Sequence, residues 1–253
     1  MNIARREKTT TSDTLRCPVC GSEASRGYDH PEATLYLCRE CTHCFSDPAA
    51  MQAEDYGPDY YERTHKNWFQ NPNIRLFERI QKYVKAFGPQ CHVLDVGCGR
   101  GDLLRYLHER ESRLELTGIE LSELPRSPPI RFIKSDLFEL ELPEKFDVLV
   151  TLAVIEHIAD AHGFVRRLVN FARPGGTVVV MILNSDSLVY LVARLARSFG
   201  WNDAFNRLYS RHHLQHFNRR SLTLLLERHG LRVREHLSHN FPLAGVDFQS
   251  TGH

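Results

Sequence analysis

The middle of the chain alternates between short apolar runs and amphipathic segments. Strands separated by helices and apolar on both faces are typical of a mostly parallel sheet that is covered on both sides. The pattern therefore predicts an α/β fold with a doubly wound sheet. The predicted strands are 92–96, 114–119, 130–133, 146–151 and 177–183, and the predicted helices between them are 101–110 and 161–172.

Further helical spacing lies outside this alternation. Ile74, Phe77, Ile80 and Val84 predict a helix before the first strand, and the proline-rich stretch 120–130 predicts a short or irregular crossover. After the last strand, a helix is predicted at 219–229, ending at Gly230, and a strand at 231–237.

A long insertion, 187–209, precedes that helix. Its apolar residues stand at helical spacing and are Leu188, Leu191, Val192, Leu195 and Phe199. Because an insertion at this place lies over the strand ends, we expect a helical substrate lid. The alternative is a pair of helices that bury this stripe against each other, and the two readings are compatible.

The most informative segment is the turn after the first predicted strand. Gly97, Gly99 and Gly101 let the backbone approach a ligand, and the next helix begins with free N–H groups. Asp95, just before them, would repel a pyrophosphate and attract an ammonium group. Glu120 ends the next strand, at the spacing of an acid that accepts hydrogen bonds from ribose hydroxyls. We therefore expect a zwitterionic or cationic ligand.

These residues resemble, in order, the motifs of class I S-adenosylmethionine-dependent methyltransferases. The resemblance extends over residues 90–237 and implies a Rossmann-like fold and S-adenosylmethionine as cofactor. The matching segments are Asp-Val-Gly-Cys-Gly-Arg-Gly at 95–101, Glu120, Ser135-Asp136-Leu137, Phe146-Asp147-Val148 and Arg173-Pro174-Gly175-Gly176.

The resemblance also implies a role for each matched residue. The methionine part of the cofactor would lie on Asp95 and the glycine loop, the ribose on Glu120, and the adenine beside Asp136 and Leu137. Asp136 has the alternative of capping a turn, and Cys98 that of a small packing residue. The full set assigned to the cofactor is Asp95, Gly97, Cys98, Gly99, Gly101, Glu120, Leu121, Asp136, Leu137 and Leu152.

Two Cys-x-x-Cys pairs near the N-terminus, Cys17/Cys20 and Cys38/Cys41, have the spacing of two zinc knuckles that face each other across a short hairpin. Four thiolates can close a tetrahedral zinc site. A disulfide pair is the first alternative, disfavoured in a reducing compartment. A redox Cys-x-x-Cys is the second, and it would lack its usual strand–helix setting.

The register of the second knuckle is open. Cys44 follows Cys41 at the same spacing as Cys41 follows Cys38, so Cys41 and Cys44 are an alternative second pair. A glycine, Gly21, follows the first pair as knuckles prefer, whereas Thr42 follows the second.

Small zinc modules of this kind precede the catalytic domain in bacterial methyltransferases that act on sugars, glycans and secondary metabolites, and the segment 56–61 resembles their linker. We therefore expect a zinc-ribbon-like module at 1–50, a linker and N-terminal helical lid at 51–88, and a methyltransferase domain at 89–253 with a helical insertion at 184–218. The linker segment either folds over the cofactor or docks the zinc module on the core.

Methyl transfer to a hydroxyl requires alignment of the nucleophile and removal of its proton. His157, beyond the fourth strand, and His213, in a His-Leu-x-x-Phe segment similar to that of the family, are the candidate bases. In related quinone-type O-methyltransferases an acid three positions before the Glu-His pair contributes to a metal site, but Ala153 stands there, so a catalytic metal is not expected.

Composition narrows the function classes. The 253 residues include 32 basic and 31 acidic side chains, a formal net charge of +1 that gives nucleic acid or an anionic membrane no general attraction. No apolar run approaches a membrane span and no signal region follows Met1, so we expect a cytoplasmic protein.

We expect an enzyme that methylates a small molecule or a saccharide, most simply at a hydroxyl oxygen. An RNA methyltransferase that uses the zinc module to hold nucleic acid, and a non-catalytic cofactor-binding scaffold, are the alternatives. An Asn/Asp-Pro-Pro-aromatic sequence, typical of methylation at exocyclic base amines, is absent after the fourth strand, where Thr151-Leu152-Ala153-Val154 stands.

Overall fold

The computed structural model describes residues 12–47, 71–123, 128–210 and 213–238. The chain forms two compact units. The first is Met1–Met51 with Asn184–Leu225, and the second is Gln52–Leu183 with Leu226–His253. Residues 184–218, expected as an insertion within the methyltransferase domain, group by their contacts with the N-terminal residues.

The second unit contains a parallel sheet with strand order β7-β6-β5-β8-β9. This is the predicted doubly wound α/β fold, which is confirmed. The strands are β5 (His92–Val96), β6 (Glu115–Glu120), β7 (Arg131–Lys134), β8 (Phe146–Leu152) and β9 (Ala172–Met181). The helices are α1 (Ile74–Ala86), α2 (Asp102–Arg110), a 3₁₀ turn at Ile155–His157, and α3 (Ala161–Phe171).

Strand order reverses at β5, which pairs with β6 on one side and β8 on the other. In open α/β sheets, ligands bind at such a switch point, beyond the carboxyl ends of the strands. Asp95 lies at this end of β5 and Glu120 at the same end of β6, in the register Asp95–Gly118 and Val96–Ile119. The fold therefore brings the two predicted acids to one edge.

The core of this unit forms where helices α1 and α2 cover one face of the sheet. Phe77, Ile80 and Val84 of α1 are buried at the predicted helical spacing, whereas Ile74 at its first turn is exposed. Asn73 caps α1, since its side chain accepts the N–H of Leu76. The hydrophobic period thus fixes which face of α1 packs on the sheet.

The first unit is built on an antiparallel sheet of order β1-β2-β3-β4-β10. Its last strand comes from the segment after β9 and pairs with β4, so that Gln215 faces Phe45 and His216 faces Cys44. The strands are β1 (Thr14–Arg16), β2 (Glu23–Asp29), β3 (Thr34–Cys38), β4 (Cys44–Ser46) and β10 (Gln215–His216). The helices are α4 (Leu188–Ser198), α5 (Asp203–Leu208) and α6 (Arg219–Glu227), the last running past the unit boundary.

Aromatic side chains form the core of this small unit. Tyr36 and Phe45 stack from neighbouring strands, and Phe205 stacks on Tyr209 with ring centroids 4.4 Å apart. All four, and Phe217, are almost fully buried. Residues distant in sequence thus share one core, which explains why residues 184–225 group with the N-terminal strands.

Two predicted elements differ from the structure. The strand expected at 231–237 is wrong: the described backbone there has no strand partner, and a strand needs a ladder neighbour. Strand β9 begins at Ala172 rather than 177 and ends at Met181. The described residues of the proline-rich crossover, on either side of 124–127, contain no helix. Residues 124–127 themselves and the predicted linker segment 56–61 lie outside the described residues. None of the described helices is long and apolar enough to traverse a bilayer.

Candidate functional site

The turn after β5 is closely packed. Gly97 and Gly101 have φ angles of +71° and +76°, which side-chain-bearing residues rarely adopt. A Cβ at Gly97 would overlap Val154, and one at Gly101 would lie 2.5 Å from the Phe132 ring. Glycine is therefore required at both positions, and bare backbone faces the edge at which a ligand would bind.

Glu120 holds this turn in place. Its carboxylate accepts the N–H of Gly99 at 2.9 Å and that of Leu121 at 2.8 Å, while the N–H groups of Gly97 and Cys98 donate to the carbonyl of Ile119. The end of β6 and the glycine turn thus form one hydrogen-bonded unit. A carboxylate has about four acceptor sites, so Glu120 can also accept a hydrogen bond from a hydroxyl group of a ligand.

Asp95 is 3% exposed and lies near Glu120, which is 8% exposed. Burial, and then repulsion by Glu120 and Asp102, raise the pKa of Asp95 to about 8. Within the described ranges neither Asp95 nor Glu120 forms a salt bridge to Lys or Arg. Two buried acids without a basic partner make a site that favours a cation and disfavours a pyrophosphate.

The other residues assigned to the cofactor lie on the same edge of the sheet. The Asp136 carboxylate accepts the Phe138 N–H at 2.8 Å. It therefore caps the turn after β7, which is the alternative role expected for this residue. Leu137 is buried, Leu121 is about half exposed, and Leu152 ends β8.

Cys98 is a packing residue in this arrangement. Its sulfur lies so near Gly118 that a Cβ there would stand 2.7 Å away. Burial, with Asp95 and Glu120 nearby, raises the pKa of the Cys98 thiol far above its usual value. A thiol in these surroundings is not a nucleophile at neutral pH.

S-adenosylmethionine fits this set of groups. Its sulfonium and ammonium charges match the acids, its ribose hydroxyls match Glu120, and the glycine turn leaves backbone exposed to it. These acids and glycines are evident from the sequence, whereas Val154 and Phe132, whose side chains leave no room for a Cβ at Gly97 and Gly101, are not. Their only sequence signal is an apolar residue after β8 and an aromatic residue within β7.

Beyond β8 the chain makes a sharp turn into the 3₁₀ segment. Ala153 has a φ of +55° and donates its N–H to the Met181 carbonyl. Glu156 is 2% exposed; one carboxylate oxygen accepts the Leu183 N–H at 3.1 Å and the other has no partner among the described residues. Burial raises the pKa of Glu156 to about 7. Glu156 therefore links the end of β8 to the end of β9, a role that sequence reasoning missed.

His157 follows Glu156 at this edge and is half-buried, with its backbone N–H donated to Val154. His213 lies in the other unit, half-buried before β10, where its carbonyl accepts the Ser46 hydroxyl. The two candidate bases thus belong to different compact units, and both assignments stay predictions.

The cysteines of the first unit form a compact cluster. The sulfurs of Cys17, Cys20, Cys38 and Cys41 all lie within 4.8 Å of one another. The Cys17–Cys41 and Cys20–Cys38 sulfur distances are 3.6 Å and 3.4 Å. A zinc tetrahedron with bonds of about 2.3 Å has sulfur–sulfur edges of about 3.8 Å, so the donor set fits zinc.

Cys44 is outside this cluster, on β4, where burial raises the pKa of its thiol to about 12. Both knuckle turns use a left-handed residue, Gly21 at φ +79° and Thr42 at φ +61°. The Thr42 hydroxyl donates to the Cys41 carbonyl, and the Asn218 amide donates to the Thr42 carbonyl and hydroxyl, at 2.9 Å each. These bonds hold a non-glycine residue in this conformation.

Comparison with known proteins decides the family. A family model described as a methyltransferase domain matches residues 60–236. The chain belongs to this methyltransferase domain family.

The curated relatives support the family but match only part of each chain. A ubiquinone biosynthesis O-methyltransferase of Pseudomonas entomophila is 30% identical over 119 residues, 42% of this chain and 50% of that protein. An uncharacterized methyltransferase of Mycobacterium tuberculosis is 34% identical over 125 residues, 47% of this chain and 62% of that protein. The chain spans about half the length of the first of these relatives.

A solved structure supports the fold. The plantazolicin methyltransferase BpumL, in complex with a monoazolic analogue and S-adenosylhomocysteine, aligns with a TM-score of 0.51 at 18% identity. The alignment covers 68% of this chain and 69% of that one. The Rossmann-like methyltransferase fold expected from the motifs is therefore shown.

Proposed function

We propose that this protein transfers the methyl group of S-adenosylmethionine to a hydroxyl oxygen of a small molecule or saccharide. The observation that carries the proposal is the pair of buried acids, Asp95 and Glu120, on either side of a turn that only glycine can form. This pair suits a cationic nucleoside ligand and disfavours a dinucleotide.

Each group has a distinct task in this proposal. Asp95 attracts the positive charge of the methionine part, Glu120 accepts hydrogen bonds from the ribose, and Leu137 lies against the adenine. Because a sulfonium leaving group needs no acid, the protein has to align the acceptor oxygen and remove its proton. His157 and His213 are the side chains proposed for that proton.

Methylation at oxygen is supported by the name of a curated relative, a ubiquinone biosynthesis O-methyltransferase. A metal at the Glu-His pair has little support. Ala153, three positions before Glu156, offers no ligand where an acid would be needed. We therefore propose that a base removes the proton of the acceptor and that no metal ion binds the acceptor oxygen.

The cysteine cluster is proposed to hold one structural zinc ion. When bound, the ion would supply folding energy to the first unit through four thiolate bonds. Cys17, Cys20, Cys38 and Cys41 would fill all four positions of a tetrahedron. A closed site of this kind leaves no position for a substrate, so the cluster takes no part in the chemistry.

Binding and turnover together test the function. Calorimetry should show S-adenosylhomocysteine binding to the wild type, weaker binding to Glu120→Ala, and poor binding of NAD. Radiolabelled S-adenosylmethionine should then label hydroxylated quinones, phenols or nucleotide sugars in an acceptor panel that also contains RNA. Unchanged affinity in Glu120→Ala, or tighter binding of NAD, would overturn the cofactor assignment. Labelling of RNA alone, or only at nitrogen, would overturn the acceptor class.

A further inference from the structure

An apolar surface on and just after helix α4 is not covered by any part of the chain that the structure describes. Seven large apolar side chains between residues 188 and 201 are 45–81% exposed, and we call them the α4 patch. They are more than half of the large exposed apolar side chains in the described residues. The α4 patch is Leu188, Val189, Leu191, Val192, Leu195, Phe199 and Trp201.

The helix packs into its own unit through the opposite face. Tyr190 and Ala193 are buried there, and the Tyr190 ring contacts Tyr209 edge-on with centroids 5.2 Å apart. The stripe predicted at helical spacing therefore exists, but α4 and α5 do not bury it against each other. The patch is left facing outward while the rest of α4 is held in place.

The area of the patch decides between incidental exposure and an interface. Aromatic side chains bury about 150–250 Å² each, so Phe199 and Trp201, at 81% and 77% exposed, present roughly 300 Å² between them. The five aliphatic side chains of the patch, 45–73% exposed, add to this area. The largest apolar patch on a typical monomer is about 300–600 Å², whereas a stable interface buries about 800 Å² per partner. The two aromatic side chains alone reach the range of a monomer's largest patch, and the five aliphatic side chains extend the α4 patch towards the size of a protein interface.

The charges around the patch argue against a lipid surface. Arg194 donates to the Ser185 carbonyl and the Tyr209 hydroxyl. Arg197 donates to the Asp29 carbonyl and lies over the Phe205 ring. A helix that lies on a membrane normally presents basic side chains to anionic lipid, and the arginines of α4 are directed to partners within their own unit. The patch is apolar and uncharged, as the centre of a protein interface is.

We propose that the α4 patch is the interface with a second copy of this chain, with the two α4 helices packed antiparallel about a twofold axis. Leu188, Leu191, Val192 and Leu195 lie symmetrically about the midpoint between residues 191 and 192. An antiparallel pair therefore places Leu188 against the second copy's position 195 and Leu191 against its position 192. Such self-complementarity is what a twofold interface requires.

Sedimentation velocity across a concentration series tests this proposal. The wild type should sediment as a dimer at micromolar concentration, and Leu188→Lys and Leu195→Glu should each sediment as monomers. An equimolar mixture of the two variants should form a heterodimer, because the opposite charges then face each other and the second contact stays apolar. Ile74→Glu, a change at a similarly exposed position on α1, should remain dimeric.

Further measurements make every outcome decisive. Thermal melting and S-adenosylhomocysteine affinity of each variant should match the wild type, which shows that the chains remain folded. A wild type that is still monomeric at about 100 µM, which is the order of the Kd of a weak interface, overturns the proposal. Dimers that persist in both charge variants overturn it as well. Flotation of a monomeric wild type with vesicles of phosphatidylcholine and phosphatidylglycerol would assign the patch to lipid instead.

Discussion

The Asn218 side-chain amide donates to both the carbonyl and the hydroxyl of Thr42, at 2.9 Å each. Thr42 follows the last cysteine of the cluster, and Asn218 begins helix α6, where its side chain accepts the Ser221 N–H at 2.8 Å. One buried side chain thus connects the second cysteine turn to a helix 176 residues further along the chain.

This contact gives the first prediction. Asn218→Ser keeps a helix-capping hydroxyl but cannot reach Thr42, so it leaves the Thr42 carbonyl without its partner. We expect a loss of about 1–3 kcal/mol in the free energy of unfolding, together with faster transfer of zinc to a chelator. Ser221→Ala, which removes the two bonds between the Ser221 hydroxyl and the Asn218 backbone but leaves the Asn218–Thr42 bonds, should leave zinc transfer unchanged. Equal transfer rates in Asn218→Ser and wild type would contradict this coupling.

The second prediction concerns the metal itself. Purified protein should contain one zinc per chain, and Cys17→Ser should lose it, because a thiolate is removed from a closed set of four. Cys44→Ser is the matched control, since Cys44 is a buried cysteine outside the cluster. Elemental analysis measures both. Full zinc in Cys17→Ser, or loss of zinc in Cys44→Ser with retention in Cys38→Ser, would show that the ligand set is wrong.

The sequence was sufficient for the sheet and its acidic edge because these depend on local patterns. Apolar runs predict the five strands of the parallel sheet, and the glycine spacing with Asp95 and Glu120 predicts the ligand site at the carboxyl ends of two of them. The cysteine cluster could also be predicted from the sequence, because the spacing within each Cys-x-x-Cys pair brings its two sulfurs close together.

The grouping of residues 184–225 with the N-terminal strands could not be predicted from local patterns in the sequence. It depends on the pairing of Gln215 with Phe45 and on the Asn218–Thr42 contact, both between positions more than 160 residues apart. A two-residue strand such as β10 has no periodicity to detect. The exposure of the α4 stripe was hidden for a related reason, because helical spacing shows that a face is apolar but not what covers it.

The third prediction is a pH dependence of cofactor binding. The pKa of Asp95 is raised to about 8 by burial and by Glu120, so the carboxyl is protonated in the free protein below that pH. The ammonium group of the ligand, which S-adenosylmethionine and S-adenosylhomocysteine share, needs the ionised form of Asp95, and binding then releases a proton. Affinity for S-adenosylhomocysteine should therefore fall by up to about tenfold per pH unit as the pH decreases below 8.

Calorimetry between pH 6 and 9 measures this slope. Asp95→Asn should bind more weakly at pH 8.5 and should lose the slope, because no proton is released. Glu115→Gln, at the amino end of β6 and away from the site, should retain it. A flat wild-type profile would remove Asp95 from the charge recognition of the ligand.

The fourth prediction concerns stability without ligand. Burial raises the pKa of Glu156 from 4.5 to about 7, so the folded chain holds a proton that the unfolded chain has released. Its contribution to stability is full below pH 4.5, decreases as the pH rises from 4.5 and is lost once the pH has passed 7, a change of about 3 kcal/mol. Glu156→Gln cannot ionise and should lack this component. The stabilities of the two proteins in denaturant melts should diverge between pH 5 and pH 7 and then differ by a nearly constant amount up to pH 9. A difference that does not change between pH 5 and pH 7 would contradict the assignment.

The last prediction separates the two histidines. His157 lies at the carboxyl edge of the parallel sheet, half-buried beside Glu156, whereas His213 lies before β10 in the other unit. A general base contributes about 10²–10⁴-fold to the rate. If one of these histidines is the base, its replacement by Ala should lower kcat by that factor. The affinity for S-adenosylmethionine should stay nearly unchanged, because neither side chain is assigned to the cofactor. The correct variant should also lose the acidic limb of the kcat profile, a change that a merely structural defect would not produce. If both variants methylate at the wild-type rate, alignment alone carries the reaction, and the acceptor must be nucleophilic at neutral pH without a base, as an amine or an enolate carbon is.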